Sequence, residues 1–265
     1  MTVPKTYKNP FLSKKPNVKT NQFFSIIEQC MYGTKKRRHQ MFIKRKGIIL
    51  IFLSSLFVGG CQMSDEQSIE TKSLDQKPSE VATEDLPNTR ALQDEFTRDM
   101  IKSTKETEKG YYTLESKTGV YEMLFPAGGG IFETLYSYTE NQIESYVIGA
   151  VYDDQVEAQI RINYNQELYN DKKGVSYSID FLTNNLGISS AFEKVDLKNR
   201  TLYIAPFKVD EDAVGYAAYV HPKSQKGGVK VVYSVGCNQL QVQCEPSNEK
   251  IKDRAHKVMS SITFK

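Results

Sequence analysis

The chain has 265 residues, of which 39% are hydrophobic and 25% are charged, so it holds enough apolar side chains for one sizeable core plus extensions. Its charge is unevenly divided, because the first 60 residues contain 12 of the 35 Lys and Arg residues but only one of the 32 acids, Glu28. From Cys61 onward, 23 basic and 31 acidic residues remain, a net charge of −8. An acidic domain disfavours a nucleic-acid partner, since binding to phosphates requires a basic face.

Residues 41–60 have the pattern of a signal peptide. Lys44, Arg45 and Lys46 follow Met41 and precede an apolar run of 14 residues, 47–60. A membrane-spanning helix needs about 20 apolar residues, so this run has the length of a signal-peptide core instead. We therefore expect translation to begin at Met41 and residues 1–40 to be a mis-assigned extension. A long cytoplasmic leader is the alternative.

The segment Val58-Gly59-Gly60-Cys61 ends the apolar run. It resembles the bacterial lipobox, in which an aliphatic residue and two small ones precede a cysteine whose thiol receives a diacylglyceryl group. The resemblance implies cleavage before Cys61 and attachment to the extracytoplasmic face of the cell membrane. Two acyl chains would anchor the protein firmly, because each buried methylene contributes about 0.8 kcal/mol. An uncleaved signal anchor with an incidental cysteine is the alternative.

The residues after Cys61 change in character at residue 89. Residues 61–88 are rich in Ser, Glu, Asp and Gln and show no hydrophobic period, which predicts a flexible acidic tether. From residue 89 to residue 265 the pattern is that of a globular domain. Leu92, Phe96 and Met100 recur every fourth residue after Thr89, which predicts a short amphipathic helix with Thr89 as its N-cap.

Alternating apolar residues between turn signals predict several strands in the rest of the domain. The predicted strands are 119–126, followed by a turn at 127–130, then a hairpin of 145–152 and 157–164, and finally 192–197, 200–209, 214–221 and 229–236. Helical spacing predicts a mid-chain helix over 176–187, with Ser176 as its cap and Gly187 as its end. A C-terminal helix is predicted from Ser247, and its apolar face would consist of Ile251, Ala255, Val258 and Ile262.

These elements predict an α+β fold in which an antiparallel β-sheet packs against a mid-chain helix and a C-terminal helix. Their order resembles the Mog1/PsbP-type architecture, which specifies no chemistry. At residue level, LPNTRALQDEFTRDMIKSTKETEKGYYTLES, YEMLFP, YSVGC and the terminal SSITF resemble the YvcA-like lipoproteins of Bacillus. This resemblance implies a membrane-anchored surface lipoprotein with a role in colony or biofilm architecture. It supplies no catalytic residues.

Cys237 and Cys244 are seven residues apart, in a region expected to lie in a compartment where disulfides persist. We predict a structural disulfide between them, which would contribute roughly 2 to 2.5 kcal/mol in the chain-entropy model. Free thiols are one alternative. A redox pair would more often show Cys-x-x-Cys, and a zinc site would need His221 and His256 as further ligands, so no metal or cofactor is expected.

Other candidate sites lack the spacing that their chemistry requires. Gly128-Gly129-Gly130 lacks the Lys-Ser/Thr of a phosphate loop. The acidic clusters 153–154 and 210–212 do not have calcium-loop spacing, so these two clusters are interpreted as solvated turns. The sequence therefore indicates a binding or accessory protein of the cell envelope whose partner is an envelope protein or a small ligand, and not an enzyme. An envelope enzyme, with His221 or His256 beside a carboxylate and a Ser or Cys, is the alternative, and a structural part of the extracellular community is a third hypothesis.

Overall fold

The structure is a computed structural model that describes residues 76–209, 211–237 and 245–265. Within these residues the chain forms eleven strands, which are β1 Tyr111–Glu115, β2 Tyr121–Pro126, β3 Gly129–Ile131, β4 Ser137–Thr139, β5 Ile143–Val151, β6 Glu157–Asn165, β7 Glu193–Asp196, β8 Arg200–Val209, β9 Ala213–Pro222, β10 Gly228–Gly236 and β11 Thr263–Phe264. The α-helices of the described residues are α1 Arg90–Gln93, α2 Glu95–Arg98, α3 Lys172–Leu186 and α4 Glu249–Ser261. Short 3-10 turns occupy Pro78–Glu80, Thr83–Asp85 and Glu133–Leu135.

The strands form two antiparallel sheets. The larger sheet has the order β3-β5-β6-β10-β9-β8-β7, with β4 paired to β5, and the smaller has the order β1-β2-β11. The predicted hairpin is present, since Val151 pairs with Glu157 across the turn between β5 and β6. The α+β class, with a mid-chain and a C-terminal helix, is therefore confirmed, although strands β1, β3, β4 and β11 and the division into two sheets were not predicted.

Each face of the large sheet has its own core. Along β8, Leu202 and Ile204 join the main core, which the small sheet and α4 cover, whereas Ala205 and Phe207 join a second core beneath α3. This division follows from the period of two along a strand. Each large aliphatic side chain buried in these cores contributes about 1.5 to 3 kcal/mol.

The two long helices begin at residues other than those predicted. The carboxylate of Asp171, not Ser176, caps α3 by accepting from the Gly174 N–H at 2.7 Å. Asn248, not Ser247, caps α4, where its Oδ1 accepts from the Lys250 N–H at 3.2 Å. The predicted end of α3 is confirmed, because Gly187 adopts a φ of 64°, a left-handed conformation that favours glycine.

The predicted helix after Thr89 is two separate turns. Thr89 precedes α1 without a side-chain capping bond, and Asp94, in an extended conformation, ends α1 and caps α2. The Thr97 hydroxyl donates to Asp94 and accepts from the Ile131 N–H at 2.8 Å. Docking of α2 on β3 therefore satisfies a buried backbone donor, and this tertiary contact replaces one continuous helix.

The triple-glycine segment is only partly a turn, because Gly129 and Gly130 belong to β3. A Cβ on Gly129 would lie 2.8 Å from both the Phe125 ring and the Pro126 oxygen. Glycine is needed here because the backbone passes close to its neighbours, not because a phosphate binds.

The amino-terminal residues 76–88, which the sequence placed in the tether, pack on the domain. Leu86 is buried in the main core, and the Thr104 N–H donates to the Gln76 oxygen at 2.9 Å. Ordered packing therefore begins before residue 89, on the face of the large sheet that carries the small sheet.

Glu144 connects the two sheets. It lies on β5 and is fully buried, and its carboxylate accepts from the Lys117 N–H at 3.1 Å and from the Thr118 N–H and hydroxyl at 3.2 Å. The Tyr136 hydroxyl donates to the same carboxylate at 3.1 Å. These donors compensate for burial of the charge and fix the β1–β2 turn to the large sheet.

Candidate functional site

The residues with predicted covalent roles lie mostly outside the described part of the chain. This applies to Cys61 and to Cys244, so lipidation and the disulfide both stay predictions. Cys237 directly follows β10, where its N–H donates to the Asp212 oxygen at 2.9 Å and it packs against the main core.

The acidic turn at 153–154 is a structural contact. Asp154 accepts from Lys250 at 3.1 Å and from Arg254 at 3.0 Å, so it attaches the β5–β6 turn to α4. The interpretation of this turn as merely solvated is therefore wrong for Asp154. In the residues that the structure describes, no group of three or more His, Cys, Asp or Glu side chains could hold a metal ion.

The two histidines of the folded domain lie in different surroundings. On α4, His256 packs edge-on against the Tyr216 ring with a centroid distance of 5.3 Å, and burial lowers its pKa. By contrast, His221 on β9 lines a pocket of about 360 Å³. A second pocket, at Lys102 and Glu115, has a similar volume of about 370 Å³, but the pocket at His221 is the one that contains an imidazole, so we take it as the candidate functional site.

The pocket lies on the face of the large sheet that α3 covers. Thr201 on β8 pairs with His221 on β9, and Tyr203 pairs with Tyr219, so sheet register brings these side chains together. The pocket is lined by Asn170, Lys172, Val175, Lys194, Thr201, Tyr203, His221 and Lys223. The first turn of α3 and the edge of the sheet therefore form its walls.

His221 is held in one orientation. Its imidazole stacks with the Tyr203 ring at a centroid distance of 6.0 Å and contacts the Tyr219 ring at 5.6 Å. Nδ1 lies 2.9 Å from the Pro222 oxygen, whereas Nε2 is buried and has no hydrogen-bond partner among the described residues. Burial lowers the pKa of His221, so the ring is neutral near pH 7.

The mouth of the pocket is basic. Lys194 and Lys223 both approach Asp196, at 2.9 and 3.8 Å, and the Thr201 hydroxyl donates to the same carboxylate at 3.1 Å. Lys172 makes no ion pair with any described residue. Lys194 and Lys223 therefore share one carboxylate, and Lys172 is a third lysine in the lining.

Sequence reasoning considered His221 alone and missed the other pocket residues. Alternation along β8 and β9 places Thr201, Tyr203 and His221 on one face of the sheet, which is a usable signal. The sequence does not say which face α3 covers or that the β7–β8 segment reaches the first turn of α3. Among the residues that the structure describes, no serine or cysteine lines this pocket.

No helix within the described residues is both long enough and apolar enough to cross a membrane. The described residues thus form an antiparallel α+β domain with a small polar pocket, and a signal-peptide pattern and a candidate lipid-attachment cysteine precede this domain in the sequence. These features are those of an α+β lipoprotein.

Comparison with known proteins gives the family. The chain belongs to the YvcA_Mog1p family, described as "Putative lipoprotein YvcA", which matches residues 87–263. The protein of that description from Bacillus subtilis (strain 168) is 31% identical over 237 residues, which cover 83% of this chain and 97% of the relative. This share exceeds that of residues 76–265, so the alignment extends into the amino-terminal segment.

Among solved structures, the chain aligns with the crystal structure of aphrodisin, a sex pheromone from female hamster. The alignment covers 59% of this chain and 80% of that chain, at 8% identity and a TM-score of 0.15. A similarity at this level carries no argument about fold or function.

Proposed function

We propose that the protein is a lipid-anchored binding protein on the extracytoplasmic face of the cell membrane, and that the pocket at His221 is its ligand site. The observation that carries the binding role is the pocket of about 360 Å³ on the α3 face of the large sheet, whose lining combines the His221 imidazole with Asn170, Thr201 and three lysines. A volume of this size lies in the range of small-ligand sites.

The anchor is supported by the sequence pattern that ends at Cys61 and by membership in a family of lipoproteins. We also propose that the protein contributes to colony or biofilm architecture by binding its ligand at the cell envelope. A catalytic role stays the alternative, and a serine or cysteine beside His256, or a site within the residues around 238–244, would favour it.

The anchor is tested by labelling cells with a fatty acid. We expect Cys61→Ala to abolish incorporation of the label and to release the protein from the detergent-dependent membrane fraction. The matched change Ser64→Ala, three residues away, should leave both properties unchanged. Labelling of the Cys61→Ala variant would contradict lipidation at this residue.

The binding role is tested by native mass spectrometry of the chain from residue 61 onward, carrying Cys61→Ser, after incubation with a small-molecule extract of cell envelopes. We expect a non-covalent adduct that His221→Phe removes and His256→Phe keeps. If no adduct forms, or if both variants retain it equally, the pocket at His221 is not the ligand site.

A further inference from the structure

The β1–β2 turn places a lysine side chain against two aromatic rings. The Lys117 Nζ lies over the Phe96 ring, 4.5 Å from its centroid, and over the Tyr136 ring, 5.3 Å from its centroid. A cation within about 6 Å of a ring centroid is attracted by the negative face of the ring. Among the described residues, Lys117 is the one cation that contacts two rings in this way. The two rings therefore form a corner that already holds an ammonium group.

Tertiary structure fixes the two rings of this corner. Phe96 belongs to α2 and Tyr136 follows the 3-10 turn Glu133–Leu135, and their rings meet edge to face with a centroid distance of 5.1 Å and an interplanar angle of 69°. Behind the corner, Tyr136 stacks with the buried Tyr146 ring at 6.0 Å, and Phe96 packs against the main core. The corner is thus held by the fold, so a ligand would not have to order it.

The charges around the corner favour a cation. The Tyr136 hydroxyl donates to the Glu144 carboxylate at 3.1 Å, which places a negative charge at the end of this ring. Glu95 and Glu133 are exposed and lie on the two segments that carry the rings, and neither forms an ion pair with a described residue. Within the same part of the chain, Lys117 also has no carboxylate partner, so the ring faces are what hold its ammonium group.

The Lys117 side chain can leave the corner without disturbing the turn. Its backbone N–H donates to Glu144 at 3.1 Å, so the main chain is fixed independently of the flexible four-carbon side chain. Lys117 is exposed, which shows that the corner is open to solvent. An exposed contact between a cation and a ring changes an equilibrium by about twofold to fivefold. An external cation would therefore displace the Lys117 ammonium with only that loss of affinity.

We propose that Phe96 and Tyr136 form a binding site for a small alkylated ammonium compound, and that Lys117 is an intramolecular competitor for this site. A primary ammonium group is strongly hydrated, whereas alkyl groups on the nitrogen reduce its hydration and contact the ring faces directly. The corner packs on the main core, on the face of the large sheet opposite α3, so it is separate from the pocket at His221.

The test is titration, followed by NMR, of the chain from residue 61 onward, carrying Cys61→Ser. The probes are choline, ethanolamine and 3,3-dimethylbutanol, a neutral molecule with the shape of choline. We expect choline to bind at least about threefold more tightly than either of the others, because only choline combines charge with alkyl groups. Equal binding of the neutral probe, equal binding of ethanolamine, or no binding of choline would overturn the proposal.

Matched variants test the competition by Lys117. Lys117→Ala should tighten choline binding by about twofold to fivefold, because it removes the competing ammonium group. Lys109→Ala, a change at another exposed lysine that contacts no ring in the described residues, should leave the affinity unchanged. In the Lys117→Ala background, Phe96→Leu should weaken choline binding by at least about threefold. An equal effect of the two lysine changes would contradict the competition even if the Phe96→Leu variant fails to fold.

The same titration locates the bound choline. We expect the chemical-shift changes to centre on the backbone amides of Phe96 and Tyr136 and to be absent from those of Thr201 and His221. Changes confined to the pocket at His221 would overturn the assignment of the ammonium site, while the proposed ligand site at His221 would stand.

Discussion

Glu144 shows how one buried charge can hold two sheets together. It is the one carboxylate buried among the described residues, and every donor that reaches it comes from the β1–β2 turn or from Tyr136. A side-chain amide could not take the place of the Glu144 carboxylate, because its NH₂ group would face backbone N–H groups that need an acceptor.

We therefore predict that Glu144→Gln lowers the free energy of unfolding by about 1.5 to 3 kcal/mol, the range for hydrogen bonds to a charged group. The measurement is urea unfolding of residues 76–265. Glu140→Gln, the same change at an exposed turn residue, should shift the midpoint little. Similar losses in both variants would mean that the Glu144 network does not stabilise the domain.

The histidines give the domain a predictable response to pH. Burial lowers the pKa of His221 and of His256 below the ordinary value of 6.5. Below pH 6.5 the unfolded chain then binds more protons than the folded one, so stability is full above this pH and falls as the pH is lowered through it. We predict a lower urea midpoint at pH 5.5 than at pH 7.5, and a smaller difference in the double variant His221→Phe, His256→Phe. If the double variant shows the same difference in urea midpoint between the two pH values, groups other than these histidines cause the pH dependence.

At the scale of elements, hydrophobic periodicity predicted which face of a helix is buried, whereas capping residues did not predict where the helices begin. The apolar face of α4, including Ile251, Ala255 and Val258, is buried as expected, because burial of a helical stripe depends on spacing alone. The caps were displaced because Ser, Asp and Asn can all cap, and local sequence does not rank them. The prediction of one continuous helix after Thr89 was wrong. The Thr97 hydroxyl accepts a hydrogen bond from the distant Ile131 N–H, and no local sequence pattern reveals this contact.

The predicted disulfide belongs to the connection between β10 and α4. If Cys237 and Cys244 are bonded, loss of the bond should destabilise the domain by about 2 kcal/mol, because the unfolded chain regains the entropy of the open loop. Residues 76–265 contain these two cysteines and no others, so reductant tests this one bond. We predict that Cys237→Ser, Cys244→Ser lowers the urea midpoint and removes its dependence on reductant, with far-UV circular dichroism little changed. A urea midpoint that changes neither with the cysteine substitutions nor with reductant would contradict a bond between Cys237 and Cys244.

At the scale of the whole molecule, the sequence predicted the class of fold but not the candidate site. The site is assembled from α3, the segment from β7 to β8 and the end of β9, so its residues are spread over more than fifty positions. Their proximity depends on strand order and on which face of the sheet α3 covers. Neither is encoded in the spacing of any single segment.

The two faces of the large sheet also differ in which parts of the molecule lie on them. The described residues begin at residue 76, beside the small sheet, whereas the pocket lies on the opposite face beneath α3. In a protein attached to the bilayer through Cys61, the entry side is the one tied to the lipid. An anchor at Cys61 would therefore join the domain on the face opposite the pocket.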